Sequence, residues 1–169
     1  MKSGTLCGAT TLTYADGTPR EVIAQGRIGT RITPGTPGDK YLYDAFAYDS
    51  PLEKDNITTD IEEVVVYGKI PRSSIAIPTI TGSMYSPDFM YIVKKASGEK
   101  ELNLVVETKD VEGKDVLREN ETAKIECARI FFEILSQDGF AVHFREQLNN
   151  KQIAQILEDV FELQESQHT

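Results

Sequence analysis

Two carboxylic acids and a lysine have the types and spacing for metal-assisted hydrolysis: Asp88 after Pro87, and Glu107 with Lys109 two residues beyond it. The stretch between the acids reads as a β-hairpin. Phe89 to Val93 runs up, Leu102 to Val106 runs down, and polar residues around Ser97-Gly98 turn the chain. A two-residue turn at Ser97-Gly98 pairs residues whose numbers sum to 195, as those of Asp88 and Glu107 do. In that register the two acids lie directly across from one another, with Cβ atoms about 5 Å apart. Like charges placed so repel, and a divalent cation between them is the natural counter-charge. Strand alternation puts Glu107 and Lys109 on one face, and Leu104, Val106 and Thr108 on the other. Two carboxylates and an ammonium are expected to converge on one point.

Pro87-Asp88 with Glu107-Thr108-Lys109 is the PD-(D/E)xK signature of metal-dependent nucleases. As a bare pattern it also fits an exposed hairpin with ordinary surface charges. The apolar run before Glu107, which marks a buried strand delivering polar groups at its end, favours the site.

Further motifs follow in order: Tyr41-Leu42-Tyr43-Asp44, Tyr48-Asp49-Ser50-Pro51-Leu52-Glu53, Tyr67-Gly68-Lys69-Ile70-Pro71-Arg72, Tyr85-Ser86-Pro87-Asp88-Phe89, Val105-Val106-Glu107-Thr108-Lys109-Asp110 and Lys124-Ile125-Glu126-Cys127-Ala128. Together they resemble the C-terminal endonuclease domain of the restriction subunit of type III restriction-modification enzymes. The resemblance covers nearly the whole chain. It implies an α/β fold, a restriction-endonuclease-like core of mixed sheet flanked by helices. It also implies a DNA endonuclease that uses Mg²⁺, with Mn²⁺ as a substitute. Asp88, Glu107 and the backbone carbonyl of Thr108 would hold the metal, and Lys109 would orient and help deprotonate the attacking water. Glu53 is either the additional helical acid of such nucleases or a solvated charge, with Glu62 and Glu63 competing for that role. Lys124 either contacts substrate phosphate or pairs with Glu121 one turn away. The implied partners are double-stranded DNA, the helicase-like motor region of the same subunit and a modification methyltransferase subunit. The sequence has no Gly-x-x-x-x-Gly-Lys-Ser/Thr loop, so no nucleotide is expected to bind, and the chain reads as the cutting module alone.

The net charge of −9, from 27 acids against 18 bases, opposes DNA binding by the domain alone. Under the nuclease reading the rest of a larger assembly must supply affinity. The rival reading is a non-catalytic assembly module that keeps the fold and docks motor and modification subunits; loss of Asp88, Glu107 or Lys109 would have favoured it. No apolar run reaches the roughly 20 residues of a membrane span, and Cys7 and Cys127 lie far apart, which suits a reduced cytoplasmic protein. His143 sits in a strand between Val142 and Phe144, and His168 in a tail; neither is a catalytic candidate.

The elements that must position the site are read as follows. Residues 1–40 form a β-rich N-terminal extension, with a hairpin turning at Asp16-Gly17; 41–165 form the endonuclease domain; 166–169 are a frayed tail. Pro34 to Gly38 is a connector. A short helix is expected over Tyr41 to Lys54, with Leu42, Ala45, Phe46 and Leu52 on its apolar side. Strands are expected at Val64 to Tyr67, Ser74 to Ile77 and Ala141 to Phe144. A central helix spans Arg118 to Gln137, with Cys127, Ala128, Phe131, Ile134 and Leu135 on one face and Gly139 beyond its end. A last helix, capped by Asn149 or Asn150, carries Ile153, Ile156, Leu157, Val160 and Phe161 at helical spacing.

Overall fold

The computed structural model describes residues 11–94, 101–109, 119–148 and 151–166. Its centre is a four-stranded mixed sheet in the order β3 (Val64–Lys69), β6 (Phe89–Lys94), β7 (Glu101–Lys109), β8 (Val142–Leu148). The first three are antiparallel neighbours and β8 runs parallel to β7. That parallel pairing needs a crossover, supplied by α2 (Glu119–Gln137). Helices α1 (Pro51–Thr58) and α3 (Ile153–Ser166) complete an α/β architecture of the restriction-endonuclease-like kind.

Alternation in β6 and β7 divides the core in two. Phe89, Tyr91, Val93, Leu104 and Val106 face a cluster with Ile57 of α1 and Ile153, Ile156, Leu157 and Val160 of α3. Val105 faces the other way, with Phe144, onto Ile125, Ala128 and Phe132 of α2. Burying either layer of branched and aromatic side chains stabilises the fold by about 1.5–3 kcal/mol per large residue.

Several sequence expectations change. No helix forms over Tyr41 to Ser50. Instead the backbone of Tyr67 bonds Lys40 and Leu42, and Phe46–Tyr48 is a strand, β2, paired with β1 (Arg31–Thr33). Helix α1 begins only at Pro51, because proline suits the first helical turn and Ser50 caps it, its hydroxyl accepting from the Glu53 N–H at 3.3 Å. Among described residues before Arg31, the turn at Asp16-Gly17 forms but carries a single bridge, Thr13 to Pro19, and Gln25–Arg27 is a turn of 3₁₀-helix. Of the expected strand at Ser74 to Ile77 only Ile77 pairs, in the short ladder of β4 (Ile77–Pro78) with β5 (Met84–Tyr85). Ile134 of α2 points outward, since Ile125, Ala128 and Phe132 at i, i+3 and i+7 take the core face. Gly139 ends α2 with φ +95°, as expected of a residue just past a helix. The turn at Ser97-Gly98 and both asparagines proposed as caps lie outside the described residues.

Candidate active site

The register of β6 on β7 is the one anticipated: Phe89 faces Val106 and Lys94 faces Glu101, so continuing the ladder one step outward sets Asp88 opposite Glu107. The Asp88 backbone is held on both sides, its N–H donating to Val106 O at 3.3 Å and its carbonyl accepting from Ile70 N at 2.7 Å. Its carboxylate Oδ2 accepts the Thr108 N–H at 2.8 Å. In an extended strand a residue's N–H and C=O project to the same side, so the Thr108 carbonyl lies on the edge that faces Asp88.

Glu107 is buried, 3% exposed, at the end of an apolar strand. Its Oε1 lies 2.8 Å from the Lys109 ammonium and its Oε2 accepts the Tyr85 hydroxyl. Lys109 also approaches Glu121 at 3.8 Å, which brings the start of α2 to the site. Burial pushes the Asp88 carboxyl well above the ordinary carboxylate range, and the like charge of Glu107 adds to it. Burial also raises Glu107, against the opposing pull of Lys109. For Lys109 burial pulls downward, but the surrounding carboxylates, Glu107 first, outweigh it and the net shift is upward. Burial and Glu107 together hold the Tyr85 phenol protonated far above its usual range.

The Thr108 side chain turns to the opposite face, as alternation requires, into a buried polar knot. Asn56 of α1 and Gln147 of β8 exchange two amide hydrogen bonds, of 2.6 and 2.9 Å, and the Thr108 hydroxyl donates to Gln147 Oε1 at 3.2 Å. The knot pins α1 to the strand that carries Glu107.

Glu53 lies one helical turn before Asn56, buried, and its charge contributes to the upward push on Asp88. Its Oε2 accepts the Asp49 N–H at 2.6 Å and the Lys69 ammonium at 2.7 Å. Lys69, 3% exposed, also reaches Asp49 Oδ2 at 3.0 Å, and Arg72 holds Asp49 Oδ1 at 2.8 Å. The competing Glu62 and Glu63 are exposed before β3. Lys124 is half-buried one turn beyond Glu121, and makes no ion pair among the described residues.

Sequence reasoning missed Tyr85, Lys69, Asp49, Asn56 and Gln147. A signal existed for the first turn of α1, since Ser50-Pro51-Leu52-Glu53 is a capping box with proline at its first helical position. Lys69 had no such signal: it ends β3, two residues beyond the strand expected at Val64 to Tyr67, and only its pairing with Glu53 and Asp49 accounts for its burial.

A family model described as an endonuclease domain matches residues 39–151. The chain is 43% identical over 150 residues to the Res subunit of the type III restriction-modification enzyme EcoPI of Escherichia phage P1, and 44% identical over 150 residues to that of EcoP15I of Escherichia coli. Each alignment covers 88% of this chain and 15% of the relative. The StyLTI Res subunit of Salmonella typhimurium is 28% identical over 136 residues, 75% of this chain and 13% of that protein. The chain thus spans about 15% of the length of the first two relatives. No solved structure matches it. The family match takes in both acids, the lysine and the sheet that carries them, and the chain belongs to the endonuclease-domain family, as a type III restriction endonuclease domain.

Proposed function

We propose that this chain cuts DNA within an ATP-dependent type III restriction complex, hydrolysing phosphodiester bonds at the Asp88, Glu107 and Lys109 site with a divalent cation, Mg²⁺ or in its place Mn²⁺. The observation that carries this reading is the juxtaposition of Asp88 and Glu107, two carboxylates packed side by side with Lys109 as their near counter-charge. The donor set fits a hard cation: two carboxylates and the Thr108 carbonyl offer only oxygen. Mg²⁺ prefers such oxygen ligands, keeps several waters and completes its shell with substrate phosphate. Asp88, Glu107 and the Thr108 carbonyl would hold the ion, which supplies charge neutralisation and acidifies a neighbouring water.

The chain's own groups then divide the work. Lys109, tethered to Glu107, donates to the attacking water and to the phosphate oxygens on which charge develops. Tyr85 fixes the Glu107 carboxylate from the other side, as an outer-shell donor orients a ligand. Glu53 supplies an additional acid from the α1 side, and Lys124 a phosphate contact from α2. The charge of −9 leaves DNA affinity to the motor region and the modification subunit, so the isolated chain binds duplex DNA weakly at physiological salt.

The test uses the full-length restriction subunit with its modification partner. Asp88→Ala, Glu107→Ala and Lys109→Ala should each abolish DNA cleavage while ATP hydrolysis and methylation continue. A variant that cuts at the wild-type rate removes its residue from the mechanism.

A further inference from the structure

Thr108 sits between the acid and the lysine of the site, and its backbone lies where β7 loses one of its two neighbours. The β6–β7 ladder ends at the Phe89–Val106 pair, whereas β8 accompanies β7 as far as Lys109. On the Asp88 side the Thr108 N–H meets a carboxylate oxygen in place of a strand, and the Thr108 carbonyl faces the same way beyond the ladder's end. Among the described residues no strand sets that carbonyl's direction. The side chain is held on the opposite face. Thr108 and Gln147 are register partners, so their side chains lie side by side, and Asn56 of α1 closes over both. Asn56 Nδ2 donates to Gln147 Oε1 at 2.6 Å and to the Thr108 hydroxyl at 3.4 Å, and the hydroxyl donates to the same Oε1 at 3.2 Å. Gln147 Nε2 donates to Asn56 Oδ1 at 2.9 Å and to the Lys151 carbonyl at 3.2 Å. All three residues are buried, and this face of β7 otherwise presents Leu104 and Val106 to an apolar cluster. Packing alone would be served there by apolar side chains. A buried network in which every polar atom is bonded specifies one geometry instead.

We propose that Asn56 and Gln147 are positioning residues for phosphodiester cleavage: through the Thr108 hydroxyl they fix the rotation of the Glu107-Thr108-Lys109 segment, and with it the direction in which the Thr108 carbonyl is offered to the cation. The inference rests on the nuclease reading, in which that carbonyl helps to hold the ion. Their reach to the site is covalent, since hydroxyl and carbonyl belong to one residue whose N–H is anchored on Asp88. Glu107 and Lys109 flank that residue in the strand, so a turn of its backbone shifts carboxylate, carbonyl and ammonium together. Loss of such an outer partner typically costs about 10–100-fold in metal affinity or activity.

The experiment uses the full-length restriction subunit with its modification partner. Mn²⁺ binding is measured without nucleotide or DNA, against the Asp88→Ala complex as baseline, and cleavage is followed over a range of Mn²⁺ concentrations beside ATP hydrolysis. Gln147→Met removes the amide that the Thr108 hydroxyl bonds. It should weaken Mn²⁺ binding about 10–100-fold, raise the Mn²⁺ concentration for half-maximal cutting in proportion, and leave ATP hydrolysis unchanged. A merely structural knot would be repaired by the triple variant Asn56→Leu, Gln147→Met, Thr108→Val, which is close in size and leaves no amide or hydroxyl of the knot unpaired. Under the proposal the triple binds Mn²⁺ no better than Gln147→Met and still cuts at high Mn²⁺. Recovery of wild-type Mn²⁺ affinity in the triple overturns the inference, as does wild-type affinity in Gln147→Met, or a failure of both variants to cut at any Mn²⁺ concentration. Those results leave the nuclease reading intact so long as Asp88→Ala is inactive, whereas an Asp88→Ala complex that cuts, or that binds Mn²⁺ as wild type does, removes the reading itself.

Discussion

Asp49 and Asp88 are both aspartates drawn partly out of water near the same end of the sheet, and their surroundings drive them in opposite directions. For each, burial is the strongest single influence and pushes the carboxyl up. At Asp49 the hydrogen bonds of Arg72, Lys69 and Thr30 overcome it, and the group is held far below its ordinary range. At Asp88 the nearest charge is another carboxylate, so repulsion adds to burial, and the Thr108 N–H opposes them without prevailing. The neighbours, more than the depth of burial, set the charge state. The Asp49 region has its cations built in, Lys69 and Arg72, whereas the Asp88 region has more negative charge than Lys109 balances. A site that is electrostatically incomplete by itself is what a cation-binding centre requires.

The comparison breaks most readily at Lys69. If the Asp49 region is complete, Lys69→Met leaves Glu53 without its cation in a buried setting, and the chain should lose about 3–5 kcal/mol in denaturant unfolding. That is a large part of the 5–15 kcal/mol typical of a domain. Arg72→Ala should cost less, about 1 kcal/mol or below, because its side chain is 48% exposed and water screens the pair. A Lys69→Met chain as stable as wild type would mean that the cluster does not hold the fold together, and the contrast would fail.

This difference explains what was legible beforehand. Asp88 and Glu107 flank β6 and β7, antiparallel strands that follow one another in sequence, so local arithmetic sufficed: strand alternation and the pairing of numbers that sum to 195 give the register without knowledge of any other element. The Lys69 cluster draws Asp49, Glu53, Lys69 and Arg72 from a loop, a helix and a strand. Their meeting depends on how α1 packs against β3, which no local period encodes. The misplaced helix start had the same root. The apolar residues at Leu42, Ala45 and Phe46 mimic helical spacing, but Leu42 instead bonds along β3 and Phe46 enters β2. The Asn56–Gln147 pair is likewise a tertiary contact, bridging 91 positions of sequence.

Metal addition sharpens the contrast from the other side. A cation that binds the folded chain alone raises its stability by about 2.7 kcal/mol at one hundred times the dissociation constant. Mg²⁺ or Mn²⁺ should therefore raise the melting temperature of wild type in a concentration-dependent way. Glu107→Gln should erase most of that rise, while Arg72→Ala, altered only in the complete region, should keep it. An equal metal response in all three chains would place the cation somewhere other than between the two acids.

The smallest effect is the most diagnostic, because it appears with no metal present. Asp88→Asn removes one of two opposed charges but can keep its oxygen on the Thr108 N–H, and its new amide N–H₂ faces the Glu107 carboxylate as a donor. In EDTA at neutral pH it should be as stable as wild type or more so, by roughly 0.2–1 kcal/mol, the scale of cross-strand pair energies. The pH dependence has a definite sign. Asp88 and Glu107 have folded-state values above the ordinary 4 or so, and a carboxyl raised on folding binds its proton more tightly folded than unfolded. Wild-type stability in EDTA should then be greatest near the ordinary carboxylate value, and fall as pH rises through the raised ones. Asp88→Asn should show a shallower fall. Asp49, held low, contributes only in more acidic solution, and Lys109, held high, only in more alkaline solution, so neither blurs the window from about pH 5 to 8. With saturating Mn²⁺ the wild-type slope should reverse, since the ion binds the deprotonated acids. If wild type and Asp88→Asn instead fall in parallel across that window, the repulsion between Asp88 and Glu107 is not what sets the pH response, and the incomplete charge balance that distinguishes the two regions is lost.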